Sequence, residues 1–113
     1  MDNDSAFSPA ANCVAITAAT TPGPTPIQLA GPTNGQMAVH CWNADSTNDG
    51  WLAYGPTSAA AAANAVVPTG TSRQVLPLPH GQQKVYTLPV GSWVTVVCSG
   101  GTPVCYLTPG YGV

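Results

Sequence analysis

Trp93-Val94-Thr95-Val96-Val97-Cys98-Ser99-Gly100-Gly101-Thr102-Pro103-Val104-Cys105-Tyr106-Leu107-Thr108 is the stretch whose reading decides the fold. Two runs of β-branched and aromatic residues flank a glycine-rich break, the pattern of two strands joined by a tight turn in which glycine supplies positive φ. Side chains alternate between the faces of a strand, so Val94, Val96 and Cys98 share one face and Trp93, Thr95 and Val97 the other. The first set is the expected core face. On the second arm Cys105 and Leu107 continue that core, and Val104, Tyr106 and Thr108 point away. The pair is read as an antiparallel hairpin, which is marginal in water alone and needs further strands to cover its apolar face.

Those strands are visible on both sides. Gln82 to Leu88 and Arg73 to Leu78 lie upstream, separated by Pro79-His80-Gly81. Trp51 to Tyr54 is expected to pair with Gln36 to Asn43 across the polar loop Asp45 to Gly50. On the latter strand Met37, Val39 and Cys41 form one face and Gln36, Ala38, His40 and Trp42 the other. Asn34-Gly35 is a turn signal, and Ile27 to Leu29 and Cys13 to Thr17 add short strands. The three prolines in Thr20 to Pro26 restrict that segment to an edge or loop, since each lacks a ladder donor. Five alanines after Thr57-Ser58 suggest a short docked helix with Ser58 as its cap. About eight short strands at turn-punctuated intervals imply an all-β fold, an antiparallel β-sandwich or jelly-roll-like barrel. Residues 1–12 lack periodicity and read as an extended N-terminal arm with Phe7 as its anchor, and residues 13–113 as a single β domain.

Charge is the unusual quantity. Of 113 residues only four are acidic and two basic, against roughly 25% charged in soluble domains. A chain this bare is expected to keep much of its surface covered by a partner or by its own copies. Arg73 and Lys84 alone do not make a phosphate-binding surface, so nucleic acid is excluded as a partner. The acidic start, Met1-Asp2-Asn3-Asp4, lacks the basic region of a secretory signal, and no apolar run is long enough for a membrane-spanning helix. Synthesis in the cytoplasm and no membrane association are therefore expected. Cys13, Cys41, Cys98 and Cys105 are read as reduced, buried small hydrophobes. Cys98 and Cys105 face one another if the loop has four residues and fall out of register if it has two.

Catalytic chemistry has little to draw on, because titratable groups are scarce and no nucleophile elbow, phosphate loop or zinc helix occurs. The chain is read as a non-enzyme without cofactor or metal. Asp45-x-Thr47-x-Asp49-Gly50 imitates the start of a calcium loop, but Pro56 stands where the bidentate glutamate belongs. His80, in a turn, reads as solvated. Aromatic residues remain. Trp42 and Trp93 lie on faces opposite the core, and with Phe7, His40, Trp51, Tyr106 and Tyr111 they are the candidate interface, since large amphipathic rings suit protein contacts and sugar stacking alike.

The segment Val85-Tyr86-Thr87-Leu88-Pro89, the valine-rich arm, and the ending Val104-Cys105-Tyr106-Leu107-Thr108-Pro109-Gly110-Tyr111-Gly112 resemble small proteins encoded near the capsid genes of tailed bacteriophages and prophages. Their carboxyl ends tend to read Val-Tyr-Ile-Thr-Pro-Gly-x-Gly. Leu52-Ala53-Tyr54-Gly55 and the alanine run that follows are similar to that group as well. The resemblance implies a head decoration (cement) protein, commonly a homotrimer, bound through the major capsid protein to the outside of the virion and bridging capsid subunits. The other expectation is a glycan- or receptor-binding β module of a phage fibre or spike.

Overall fold

The computed structural model describes residues 8–9, 12–20, 23–30, 36–68, 70 and 72–111. Among them are nine strands and one helix: β1 (Ser8–Pro9), β2 (Val14–Thr17), β3 (Ile27–Gln28), β4 (Gln36–Asn43), β5 (Gly50–Gly55), α1 (Ser58–Asn64), β6 (Val75–Leu78), β7 (Gln83–Pro89), β8 (Trp93–Cys98) and β9 (Val104–Tyr111). They form two antiparallel sheets packed as a sandwich. In the first sheet β1 and β2 both lie along β9, followed by β4 and β7; the second has the order β3, β8, β5, β6. The all-β sandwich expected from the strand spacing is the observed architecture.

The core between the sheets is built from the alternating positions read in the sequence. Met37, Val39 and Cys41 of β4, Val94, Val96 and Cys98 of β8, and Cys105 and Leu107 of β9 are buried in one cluster with Leu52, Leu78 and Leu88. Each fully buried Val, Leu or Met side chain contributes about 1.5–3 kcal/mol relative to exposure.

The pairing differs from the sequence expectation. β8 and β9 are not partners: β8 pairs with β3 and β5, and β9 with β2, β1 and β4. Ser99 to Pro103 is therefore an arch that carries the chain from one sheet to the other. The same correction holds for β4 and β5, which also sit in facing sheets. Gly101 adopts φ 70° as the turn requires, and its Cα hydrogens face Asn48 of the β4–β5 arch. Cys98 and Cys105 thus belong to opposite sheets, both thiols free and buried; Cys13, expected inside, is exposed.

Prolines decide where ladders stop. Val39 pairs with Pro109; the Asn43 N–H bonds to Gln82 before β7 and the Ala44 N–H to Val104 of β9, so by alternation Met37, Val39 and Cys41 bond to β7, and Ala38, His40 and Trp42 exchange hydrogen bonds with β9. Pro109 thereby turns its donor-less nitrogen to the other side of β9. Along that edge the described pairs are Ser8 on Tyr111, Pro9 on Gly110, and Val14 to Thr17 on Leu107 to Val104. The end of the segment read as an arm is in this way a strand of the first sheet; Phe7, and the Asn34-Gly35 turn, lie outside the described residues.

The outer face of the second sheet is covered by the chain itself. The α1 N-cap is Thr57 rather than Ser58, its side chain accepting from the Ala60 N–H at 3.1 Å. The helix and the segment after it bury Ala53, Ala65 and Val97 in a second small core, with Trp51 and Val75 packed against it. Thr95 donates its hydroxyl to the Pro24 carbonyl at 2.7 Å, fixing the proline-rich segment over the same face. Ala19 bridges to Val97 after β2 leaves the first sheet, which sews that side of the sandwich shut.

Candidate functional site

Among the described residues, neither the helix nor the Pro24 segment lies on the outer face of the first sheet. Register places Ala15, Tyr106, Trp42 and Gln83 in one row across β2, β9, β4 and β7, and Thr108, His40 and Val85 in the next. Trp42 and Tyr106 form a hydrogen-bonded cross-strand pair whose rings stack with centroids 5.5 Å apart and planes inclined 26°. Such a pair contributes about 0.5–1.5 kcal/mol beyond burial and holds the indole in one place. Trp42 is nevertheless 40% exposed and Val85, diagonally beside it, 55% exposed; these are the large hydrophobic residues left to solvent among the described residues.

No charged side chain occupies this face among the described residues. Asp45 and Asp49 belong to the β4–β5 arch, Arg73 donates to the Ala63 carbonyl of α1, and Lys84 takes a core-side register position opposite Cys41. The face is a flat, uncharged platform of aromatic, aliphatic, hydroxyl and amide groups with His40 half-buried among them. That chemistry suits a contact surface, which gains from apolar burial without desolvating charge.

Of the sequence-predicted interface residues, the structure brings His40, Trp42 and Tyr106 together. Trp51 and Trp93 lie on the other sheet, Trp51 half-buried in the small core beside α1 and Trp93 half-buried opposite Gly55 and Gln28. The backbone of Tyr111 pairs with Ser8. Val85 was missed by the sequence reading, although its alternation with Lys84 and Tyr86 in the run Gln82 to Leu88 carried the signal.

The end of the sandwich nearest Trp42 is held by polar contacts. Asp45 accepts from the N–H groups of Thr47 and Asn48 at 2.9 and 2.6 Å, and these bonds hold its carboxyl below the usual range. Asp49 accepts from the backbone N–H of His80 at 3.0 Å and lies 2.7 Å from its Nδ1, so the same lowering applies there. His80, expected to be solvated, is half exposed and tied to Asp49. The two carboxylates of the calcium-like loop serve separate bonds, and among the described residues no group of three His, Cys, Asp or Glu forms that could hold a metal ion. At the opposite end a cavity of about 290 Å³ lies between Tyr54, Pro56, Gln74, Pro89, Val90 and Ser92. No helix among the described residues is long and apolar enough to cross a membrane.

Comparisons of the chain with protein families, with curated proteins and with solved structures find no match.

Proposed function

We propose that this chain is a structural virion protein that decorates the outside of a bacteriophage capsid and bridges neighbouring capsid subunits, with the outer face of the first sheet as its contact. The observation that carries the reading is that uncharged face, bearing the stacked Trp42–Tyr106 pair and the exposed Val85, on a chain almost without ionised residues. The resemblance of the Val85 to Gly112 region to head decoration proteins supports the same reading.

Size points to many copies acting together. Three strands about 25 Å long, with the shorter β1 and β2 beside them and about 4.8 Å between strands, offer roughly 450 Å² of area, below the roughly 800 Å² per partner of a standard specific interface. A single contact of this size is weak, whereas copies repeated over a shell add avidity without new chemistry. Co-sedimentation of the purified protein with empty heads tests the proposal. The wild type pellets with the heads at micromolar concentration, Trp42→Ala loses at least tenfold in occupancy, and Trp93→Ala, altered on the other sheet, pellets as the wild type does. Absence of wild-type protein from the pellet sinks the reading.

The second reading is a glycan- or receptor-binding module, favoured by the indole of Trp42 beside Gln83 and Thr108, since rings flanked by neutral hydrogen-bonding groups suit sugars. Binding on a glycan array that Trp42→Ala abolishes would replace the first reading with this one.

A further inference from the structure

The four sheet edges are not alike. A strand edge presents unpaired N–H and C=O groups to any other strand, and proteins blunt such edges with short strands, prolines and charges. In the second sheet β3 has two residues, and β6 has four with Pro77 among them. In the first sheet one edge is divided between β1 and β2, of two and four residues. The other edge is β7, seven residues long without proline before its last position, Pro89. Its single charge is Lys84.

The ladder shows which main-chain groups of β7 are not taken by β4. The Asn43 N–H donates to the Gln82 carbonyl at 3.2 Å, which marks Asn43 and Gln82 as a bonded position. Bonded and non-bonded positions alternate along an antiparallel pair, so Lys84, Tyr86 and Leu88 bond to β4 and the main-chain groups of Gln83, Val85 and Thr87 point outward. Val85, at the middle of these three, carries the most exposed large hydrophobic side chain described.

We infer that β7 pairs antiparallel with β7 of a second copy about a two-fold axis at Val85, which joins the two first sheets into one continuous sheet. In this register Val85 exchanges both main-chain bonds with Val85 of the second copy, and Gln83 does so with Thr87. The arrangement is self-complementary, as a closed two-fold contact requires. Lys84 falls opposite Tyr86 of the second copy, so the one charge meets an aromatic ring and no like charge. The two Trp42–Tyr106 platforms then lie on one side of the doubled sheet, with the paired Val85 side chains between them. The unit is a pair, in place of the three-fold assembly implied by the resemblance, and the inference holds whether or not a capsid is the partner.

Analytical ultracentrifugation of the full chain and two variants tests it. The wild type sediments with a mass near twice 11.4 kDa. Val85→Pro removes an N–H that β4 does not use, at a position where an edge strand admits proline, and is expected to sediment as a monomer with unchanged circular dichroism. Val85→Lys sets two like charges opposite one another on the axis and is expected to do the same; it decides the matter if the proline variant does not fold. Val85→Cys combined with Cys13→Ser is expected to form a disulfide-linked dimer on mild oxidation, since directly opposed Cα atoms lie within bridging range. A wild-type monomer at 100 μM, a trimer, or an oligomer that survives Val85→Lys overturns the inference. The mass alone decides the pairing, so the inference stands or falls independently of the head-binding measurement.

Discussion

Asn43 shows how much one buried amide can organise. It is fully buried at the end of β4, and its side-chain N–H groups reach the carbonyls of Asn48 at 3.0 Å and Leu78 at 2.9 Å. Its Oδ1 accepts from the Asp45 N–H at 3.0 Å, and its own carbonyl accepts from the Gly81 N–H. One residue thus ties the arch after β4 to the end of β6 and the turn before β7. Asn43→Ala leaves two carbonyls without these donors and is expected to cost about 2–3 kcal/mol, read as a lower urea midpoint at unchanged slope. Asn43→Asp is expected to be at least as harmful, because a carboxylate has no donors. The thiols give a second residue-scale prediction. Burial, reinforced for Cys41 by Cys105 and for Cys105 by Cys98 and Asp45, pushes Cys41 and Cys105 up to about 12 from 9.0, while Cys13 is exposed. A thiol-specific reagent at pH 8 is expected to modify one cysteine rapidly and the other three only on unfolding. A folded-state value above the unfolded one means that stability is complete below pH 9 and declines as pH rises from there towards 12, because the unfolded chain loses the protons first. Urea midpoints at pH 7.5 and 10.5 check that sign.

At the scale of the element, Gly55 decides whether α1 can lie on the second sheet. A Cβ there would come within 2.9 Å of the Ala60 side chain and the Ala61 backbone. Gly55→Ala is therefore expected to lift the helix from β5 and cost about 1–3 kcal/mol, in the range of overpacked cores. Thermal melting and near-UV circular dichroism of Trp51, which packs in the same small core, would report it. The elements also show what the sequence made legible. Alternation is local, so the inward faces of β4, β8 and β9 could be read residue by residue, as could the outward positions of Trp42 and Tyr106. Pairing is not local. A glycine-rich loop serves a hairpin and an arch equally well, and Ser99 to Pro103 turns out to be an arch whose Pro103 is buried and whose Gly101 abuts Asn48. The Trp42–Tyr106 stack depends on the pairing of β4 with β9, far apart in sequence, and no periodicity announces it. The side of the sandwich that α1 and the Pro24 segment cover was equally hidden, because both docking contacts join segments distant in sequence.

For the whole molecule, the topology makes the order of contacts a kinetic matter. From β2 onward every step between consecutive described strands crosses between the sheets except β5 to β6, which pair with each other across α1. The longest ladders, β4 with β7 and β9, close loops of dozens of residues. Loop-closure entropy is then lost before most native contacts can repay it, the condition under which all-β domains fold in milliseconds to seconds rather than microseconds. Refolding by dilution from urea, followed by tryptophan fluorescence, is expected to show a main phase between about 10 ms and 10 s. The β5–α1–β6 unit is the element able to form before the sheets close, so Leu52→Ala is expected to slow refolding. Leu107→Ala, on a strand that joins only through distant partners, is expected chiefly to speed unfolding. Equal slowing of refolding by both variants would indicate that the two sheets condense together, and a microsecond main phase would contradict the topological argument altogether.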